Sequence, residues 1–377
     1  MNNLALSGTD GEVAGAPFLD SQQYARAIGQ NSGNLVFQYA AHQVIGEQCK
    51  IIGRDLPYHM GLIRKHSRAV IVPSSNFIRE GADFTNYVNF LERCDLPLVF
   101  LGLGAQGTSY DQSEFDFHPS IYRFIDLIKE RGGKVSVRGE FTARLLERFG
   151  VTDVVVTGCP SNFINPGAGF AEQIARRRTR PVESFITHLE NPWEPSAGKA
   201  AMDRRLVSWT LQRRSIAIQQ SVPPVLEYLR MNNSAGGSHP SAEFETDLSR
   251  MMMGDTDLEA FRTFCATKLR TYCSVQQWME DSARFDFSVG MRLHGNMIAF
   301  QVGVPTLWVH HDSRTRELVE AMALPGIALA EFLENCHSIE DAYAACEFDE
   351  AHYLERRRVL RSALDGMLDS HGIALAH

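Results

Sequence analysis

The chain has 377 residues, a formal net charge of -8 and seven cysteines. That length exceeds the size at which a single core stops growing, so two domains are expected, and the acidic balance excludes a general nucleic-acid binder, which needs a basic stripe against phosphates. Cys49, Cys94, Cys159, Cys265, Cys273, Cys336 and Cys346 are scattered and contain no Cys-x-x-Cys, which excludes a disulfide framework and a zinc ribbon, while the lack of any apolar run of about 18 residues predicts a cytoplasmic protein without a membrane span.

Taken in order, residues 1–20 are rich in small residues without periodicity and read as a loose lead-in. Gly29-Gln30-Asn31-Ser32-Gly33-Asn34 is a turn feeding a helix, in which Asn31 and Asn34 serve as caps or as hydrogen-bond partners of a sugar hydroxyl. A buried strand through Ala69-Val70-Ile71-Val72 breaks at Pro73, and a second through Leu98-Val99-Phe100-Leu101 ends in glycines. Gly102, Gly104 and Gly107 satisfy Gly-x-Gly-x-x-Gly, yet a polar loop reaching Pro119 separates them from the next helix. A dinucleotide fingerprint needs that helix to begin within the glycines, so close backbone approach in a cleft is the use that remains.

Lys134-Val135-Ser136-Val137 is a short strand, and Arg138 follows it at the start of an amphipathic helix, where an anion is welcome and where an interdomain salt bridge also fits. Thr152–Thr157 completes the first sheet. Cys159 comes next, with no histidine close in sequence to activate it, and reads as structural. This first α/β domain spans 21–178. Its end is marked by Asn165-Pro166-Gly167 and by the run Arg176-Arg177-Arg178-Thr179-Arg180, which reads as a solvated helix end or as a contact for an anionic lipid headgroup.

A second domain, 179–337, alternates helices with strands predicted at 185–187, 215–219, 270–273, 287–289 and 306–309, the pattern of a parallel sheet. Residues 232–240 form a loop or lid. Asp255-Thr256-Asp257 imitates a metal-binding Asp-x-Asp, but Thr256 with Glu259 makes a capping box and no further oxygen ligands are suggested, so no metal is expected. Residues 338–377 read as charged helices packing back over the first domain.

Within the second domain the stretch from Asp286 to Val309 reads as strand, turn, helix and strand, a βαβ unit with Arg292 and His294 in its first turn. Such turns lie at the carboxyl edge of a parallel sheet, where ligands bind. Free N–H groups at the helix start near Gly295 and the fork of a guanidinium both favour a carboxylate or a phosphate. An anion site is therefore predicted here.

The segment Arg292-Leu293-His294-Gly295, followed by a small-residue helix and Gly303-Val304-Pro305, resembles the most recognisable segment of the polysaccharide pyruvyl transferase family. The resemblance implies a glycosyltransferase-B-like fold, in which two Rossmann-like parallel-sheet domains face a cleft, the first taking the acceptor and the second the anion. It also implies transfer of pyruvate from phosphoenolpyruvate onto a sugar diol as a cyclic ketal, with no cofactor beyond that donor. The acceptor is a polysaccharide or glycoconjugate, free or lipid-linked, the latter with peripheral membrane association.

By the same resemblance Arg292, Leu293, His294 and Gly295 bind the donor, and Arg138, in a Ser-Val-Arg context, is a second clamp. His294 is the expected acid and base, since its ordinary pKa of about 6.5 suits that task. Asn31 and Asn34 lie on a loop beside the cleft. Asp312 and Arg314 stand where relatives show Asp-x-Lys, and Cys159-Pro160 replaces an Asp-Pro. A nucleotide-sugar glycosyltransferase and a non-catalytic carbohydrate-binding protein are the alternatives on the same fold.

Overall fold

A computed structural model describes residues 3–107, 114–193, 196–221, 223–232, 241–254 and 257–376. Short, mostly apolar runs become parallel strands, and the central ones, through Val70 and Val99, are buried on both faces. In the N-terminal half these are β1 (Asn3–Leu6), β2 (Cys49–Ile51), β3 (Ser67–Pro73), β4 (Ile78–Arg79), β5 (Leu98–Leu101), β6 (Ala105–Gln106), β7 (Val135–Val137) and β8 (Val154–Val156). Four form a parallel sheet in the order β2-β1-β3-β5, and the β7-β8 pair is tied to it by a bridge between Leu103 and Val137.

The first strand corrects the reading of residues 1–20 as a loose lead-in. Leu4, Ala5 and Leu6 are wholly buried, and β1 pairs with both β2 and β3 in the interior of the sheet. Three apolar residues are too short a run to stand out by periodicity, yet they suffice for a strand flanked on both sides.

The C-terminal half contributes β9 (Ser184–Leu189), β10 (Arg214–Gln219), β11 (Leu269–Arg270), β12 (Phe287–Gly290), β13 (Thr306–His310) and β14 (Gly326–Ala328). All are parallel, in the order β11-β10-β9-β12-β13-β14. This is a doubly wound sheet whose winding reverses between β9 and β12, and ligands bind outside the carboxyl ends of strands at such a reversal. Two Rossmann-like domains thus face each other in a glycosyltransferase-B-like arrangement.

Half of the basic run between the domains is engaged in the fold, while Arg176 and Arg180 stay exposed. Arg177 donates to the carbonyls of Phe285 and Ala283 at 3.1 and 3.3 Å, while Arg178 lies 4.5 Å from the Tyr343 ring centre and donates to its carbonyl. Those two side chains fasten the linker to the second domain instead of pointing into solvent. After β14 the chain returns. The helix Glu350–Ser370 lays Leu360, Leu364 and Met367 into the cluster that holds Leu4 and Leu6, and the Tyr353 hydroxyl donates to Asn162 at 2.8 Å.

Candidate active site

The turn after β12 sits at the winding reversal because its surroundings leave it no other course. Gly290 lies against β9, where a Cβ would come within 2.8 Å of the His188 carbonyl oxygen. From the inner face of the helix Leu293–Gln301, Asn296 donates to the Gly290 carbonyl at 2.8 Å and accepts from the Ser288 hydroxyl at 2.9 Å, and Trp308 donates to the Leu293 carbonyl at 3.2 Å. Arg292 stands at the start of this helix, and its side chain makes no capping hydrogen bond. The first N–H groups of the helix are therefore left for a ligand.

A small cavity of about 50 Å³ lies at this turn, between the domains. Arg292, Leu293, His294 and Arg314 line it from the second domain, and Asn31, Asn34 and Arg138 from the first. Most of the residues singled out in the sequence are therefore brought together. Gly295 and Asp312 are the exceptions. At Gly295 a Cβ would stand 2.3 Å from His188 Nδ1 and 2.4 Å from Gln220 Nε2, so this glycine is required by packing behind the turn, not by contact with the cavity. Asp312 caps the helix Ser313–Ala321 through the Thr315 N–H and hydroxyl at 2.8 Å each, and its other oxygen faces Arg314 Nη2 at 3.2 Å. Burial pushes this carboxyl up, but Arg314 and His311 outweigh it and hold the group at about 2.

The arginines are anchored before any ligand arrives. Arg138, only 2 % exposed, donates through Nε to the Gly102 carbonyl at 3.0 Å and through Nη2 to that of Ser74 at 3.3 Å. Gly104 makes room for it, since a Cβ there would lie 2.7 Å from Arg138 Cδ. The glycine cluster after β5 thus accommodates an arginine. Arg292 donates through Nε to the Leu189 carbonyl at 3.2 Å and through Nη2 to the Ser221 hydroxyl at 2.9 Å, and its Nε lies 3.1 Å from a Glu190 carboxylate oxygen. It is accordingly a partly neutralised clamp, where the sequence reading had a free one. In both residues Nη1 makes no hydrogen bond among the described residues. Arg314 has a buried Nε with no hydrogen-bond partner among them, and Arg79 stands near enough that burial and Arg314 together disfavour its charge.

His294 occupies the floor. Its ring lies 5.2 Å from that of Phe37, and its Nε2 is 3.5 Å from Cys159 Sγ across the domain boundary. Burial, and then Arg138 and Arg314, push its pKa well below the ordinary value. The imidazole is thus neutral at pH 7 in this state, where its ordinary pKa would leave about a quarter of it charged.

Asn31 and Asn34 carry structural duties beside the cavity. Asn31 accepts from the Gly33 N–H at 2.9 Å, and Asn34 donates to the carbonyls of Ile28 and Gly29 at 3.0 Å each. Sequence reasoning missed Glu190, Ser221, Arg79 and the partnership of Cys159 with His294. No local pattern marks them, although a carboxylate at the end of β9 is where the reversal of winding would have pointed. A further interdomain contact joins Glu317 to Thr142, whose N–H and hydroxyl donate to it at 2.7 and 2.9 Å. Burial raises this carboxyl to about 7.

Beside this cavity lies a groove of about 660 Å³, and Asn34 and Ser75 line both. It opens at the carboxyl ends of β1, β2 and β3, with Tyr58, Phe77, Phe84 and Tyr87 as aromatic walls and Thr9, Asp10 and Gln38 among its polar groups. Among the described residues no cluster of three histidine, cysteine or acidic side chains could hold a metal ion. Asp255 and Thr256 lie outside the described residues, as does most of the suggested lid at 232–240, and Asp257 itself caps the next helix through the Glu259 and Ala260 N–H groups.

The family model for polysaccharide pyruvyl transferase matches residues 31–313. No curated protein matches the chain. Similar solved structures include HepE from Anabaena in complex with UDP, 11 % identical with a TM-score of 0.47, covering 98 % of this chain and 100 % of that one. UDP-GlcNAc 2-epimerase from Methanocaldococcus jannaschii is 12 % identical with a TM-score of 0.43, covering 96 % and 99 %. A putative UDP-N-acetylglucosamine 2-epimerase from Listeria monocytogenes is 9 % identical with a TM-score of 0.45, covering 92 % and 89 %. Similarity at this level says nothing about a substrate.

Proposed function

We propose, for a chain that belongs to the polysaccharide pyruvyl transferase family, that it moves pyruvate from phosphoenolpyruvate onto two hydroxyls of a sugar as a cyclic ketal. The observation that carries this reading is the convergence of Arg138, Arg292 and Arg314 on one small cavity floored by His294. Its 50 Å³, about two water molecules at the ~30 Å³ each takes in the liquid, is the scale of one phosphate or carboxylate group, so seating the whole donor requires some opening of the domains. The nucleotide-sugar alternative requires a larger opening of the domains.

In this reading the charge of Arg314 adds to Nη1 of Arg138 and of Arg292, which hold the donor's carboxylate and phosphate. Their inner nitrogens are already bonded to the protein, so little side-chain freedom is lost on binding. The donor's negative charge offsets Arg138 and Arg314, which lets His294 take up a proton. The ring, now protonated on both nitrogens, gives a proton to the methylene carbon while a sugar hydroxyl adds to the central carbon. Phosphate departs, the second hydroxyl closes the ring, and the arginines stabilise the leaving charge. One hydroxyl proton is thereby balanced by the new methyl group and the other by phosphate. The acceptor lies in the aromatic groove, its diol reaching the donor past Asn34 and Ser75.

The test is phosphate release from phosphoenolpyruvate with a panel of glycosides. Acceptor-dependent release that Arg292→Ala and His294→Ala abolish supports the reading. Near wild-type release by both variants overturns it.

A further inference from the structure

We infer that Cys159 is a positioning residue which fixes the tautomer of His294, so that the transferable proton sits on Nδ1. The inference rests on the reading of His294 as the proton donor, but its structural content stands apart from turnover. Cys159 is wholly buried, and its main chain is fixed by Pro160 and by a hydrogen bond from the Asn162 N–H to its own carbonyl at 3.0 Å. Among the described residues its sulfur makes two hydrogen-bond contacts. The Ser161 hydroxyl donates to it at 3.0 Å, and His294 Nε2 lies 3.5 Å away.

Those two contacts assign the direction of the chain. A thiol has one proton to give, and Ser161 already uses the sulfur as an acceptor. Among the described residues Nε2 is the hydrogen-bond partner left for the S–H, and in accepting it that nitrogen offers its lone pair. In a neutral imidazole one nitrogen donates and the other accepts, so the ring proton is placed on Nδ1. Partners of one ring nitrogen set the state of the other in this way at metal sites also. The two halves of the pair come from different domains, since Cys159 precedes the linker and His294 follows β12. The tautomer suited to proton delivery is thus completed only when the first domain is seated against the second.

The experiment uses the whole protein labelled with [15N]histidine, with His294→Gln to assign the resonance. Long-range nitrogen–proton couplings distinguish the tautomers directly. Nδ1–H is expected in the wild type, and Cys159→Ala should lose that preference. Cys159→Ser, which keeps a short donor, should retain it. A wild-type ring protonated at Nε2, or at both nitrogens facing a thiolate, overturns the inference, and so does an unchanged Nδ1–H form in Cys159→Ala. Should Cys159→Ala fail to fold, the wild-type tautomer and that of Cys159→Ser decide.

Kinetically, Cys159→Ala should lower kcat about tenfold, as for loss of one hydrogen bond in the transition state, and leave KM for phosphoenolpyruvate within about twofold. A change in KM alone would overturn the positioning role. Should the Nδ1–H form depend on Cys159 while no glycoside supports pyruvyl transfer, the proposed function fails and the tautomer assignment stands.

Discussion

Arg138→Lys separates an organised guanidinium from a mere positive charge. In the wild type Nε and Nη2 satisfy the carbonyls of Gly102 and Ser74 at 3.0 and 3.3 Å, and Nη1 is left for the ligand. A lysine places a single nitrogen in the same space, which cannot serve two carbonyls and an anion at once. Folding should lose about 1–3 kcal/mol for each buried carbonyl left unbonded. The melting temperature should fall by about 1–2 °C for each kcal/mol lost. Should the ammonium stay on the carbonyls, the anion loses a charge-assisted hydrogen bond worth about 1.5–3 kcal/mol, which lowers kcat/KM for phosphoenolpyruvate by about 10- to 150-fold. Initial-rate phosphate release across a donor series, paired with a thermal melt, measures both costs. A variant within about threefold of wild type in kcat/KM, with an unchanged melt, would refute the view that this fork is built for an anion.

Other perturbations test separate parts of the argument. Glu317 ionises at about 7 in the fold against 4.5 outside it, so its stabilising share is complete below pH 4.5 and lost as pH rises through 7. The melting advantage of wild type over Glu317→Gln should therefore shrink across that window by an amount equivalent to about 3 kcal/mol; a difference that does not vary with pH contradicts the buried carboxyl. Gly295→Ala should destabilise the protein by about 1–3 kcal/mol in urea unfolding, because the new methyl meets His188 and Gln220. Donor binding at pH 7 should draw a proton onto His294, so its calorimetric heat should differ between buffers of unlike ionisation enthalpy, and His294→Gln should abolish the difference. Tyr87→Ala should raise the acceptor KM and leave the donor KM unchanged; the reverse pattern would place the acceptor elsewhere than the aromatic groove.

Much of the site was legible where function resides in a contiguous segment. The turn from Gly290 to Pro305 announced itself as a strand, a polar elbow and a small-residue helix, and Arg138 repeated the same geometry. What escaped notice depends on distance in sequence. Glu190 reaches Arg292 only because β9 and β12 are neighbours in the sheet, and Cys159 meets His294 only across two domains. Neither contact leaves a spacing to read. The aromatic groove was hidden for a related reason, since its walls come from loops that follow separate strands, one of them in the segment taken for a lead-in. Charge state was the other blind spot. A histidine among arginines reads as titratable until its burial is known.

The return of the chain onto its own first domain also bears on how the molecule is made. Leu4 and Leu6 share a core cluster with Leu360, Met367 and Ile373, and the Gly46 N–H is satisfied by the Ala374 carbonyl at 2.8 Å. On a ribosome the second domain, whose strands all lie between Ser184 and Ala328, has its sheet complete while the first still lacks the helix that covers it. Domains ordinarily mature from the amino end first. Here the order is inverted. The first domain waits with part of its apolar surface uncovered until synthesis passes residue 373.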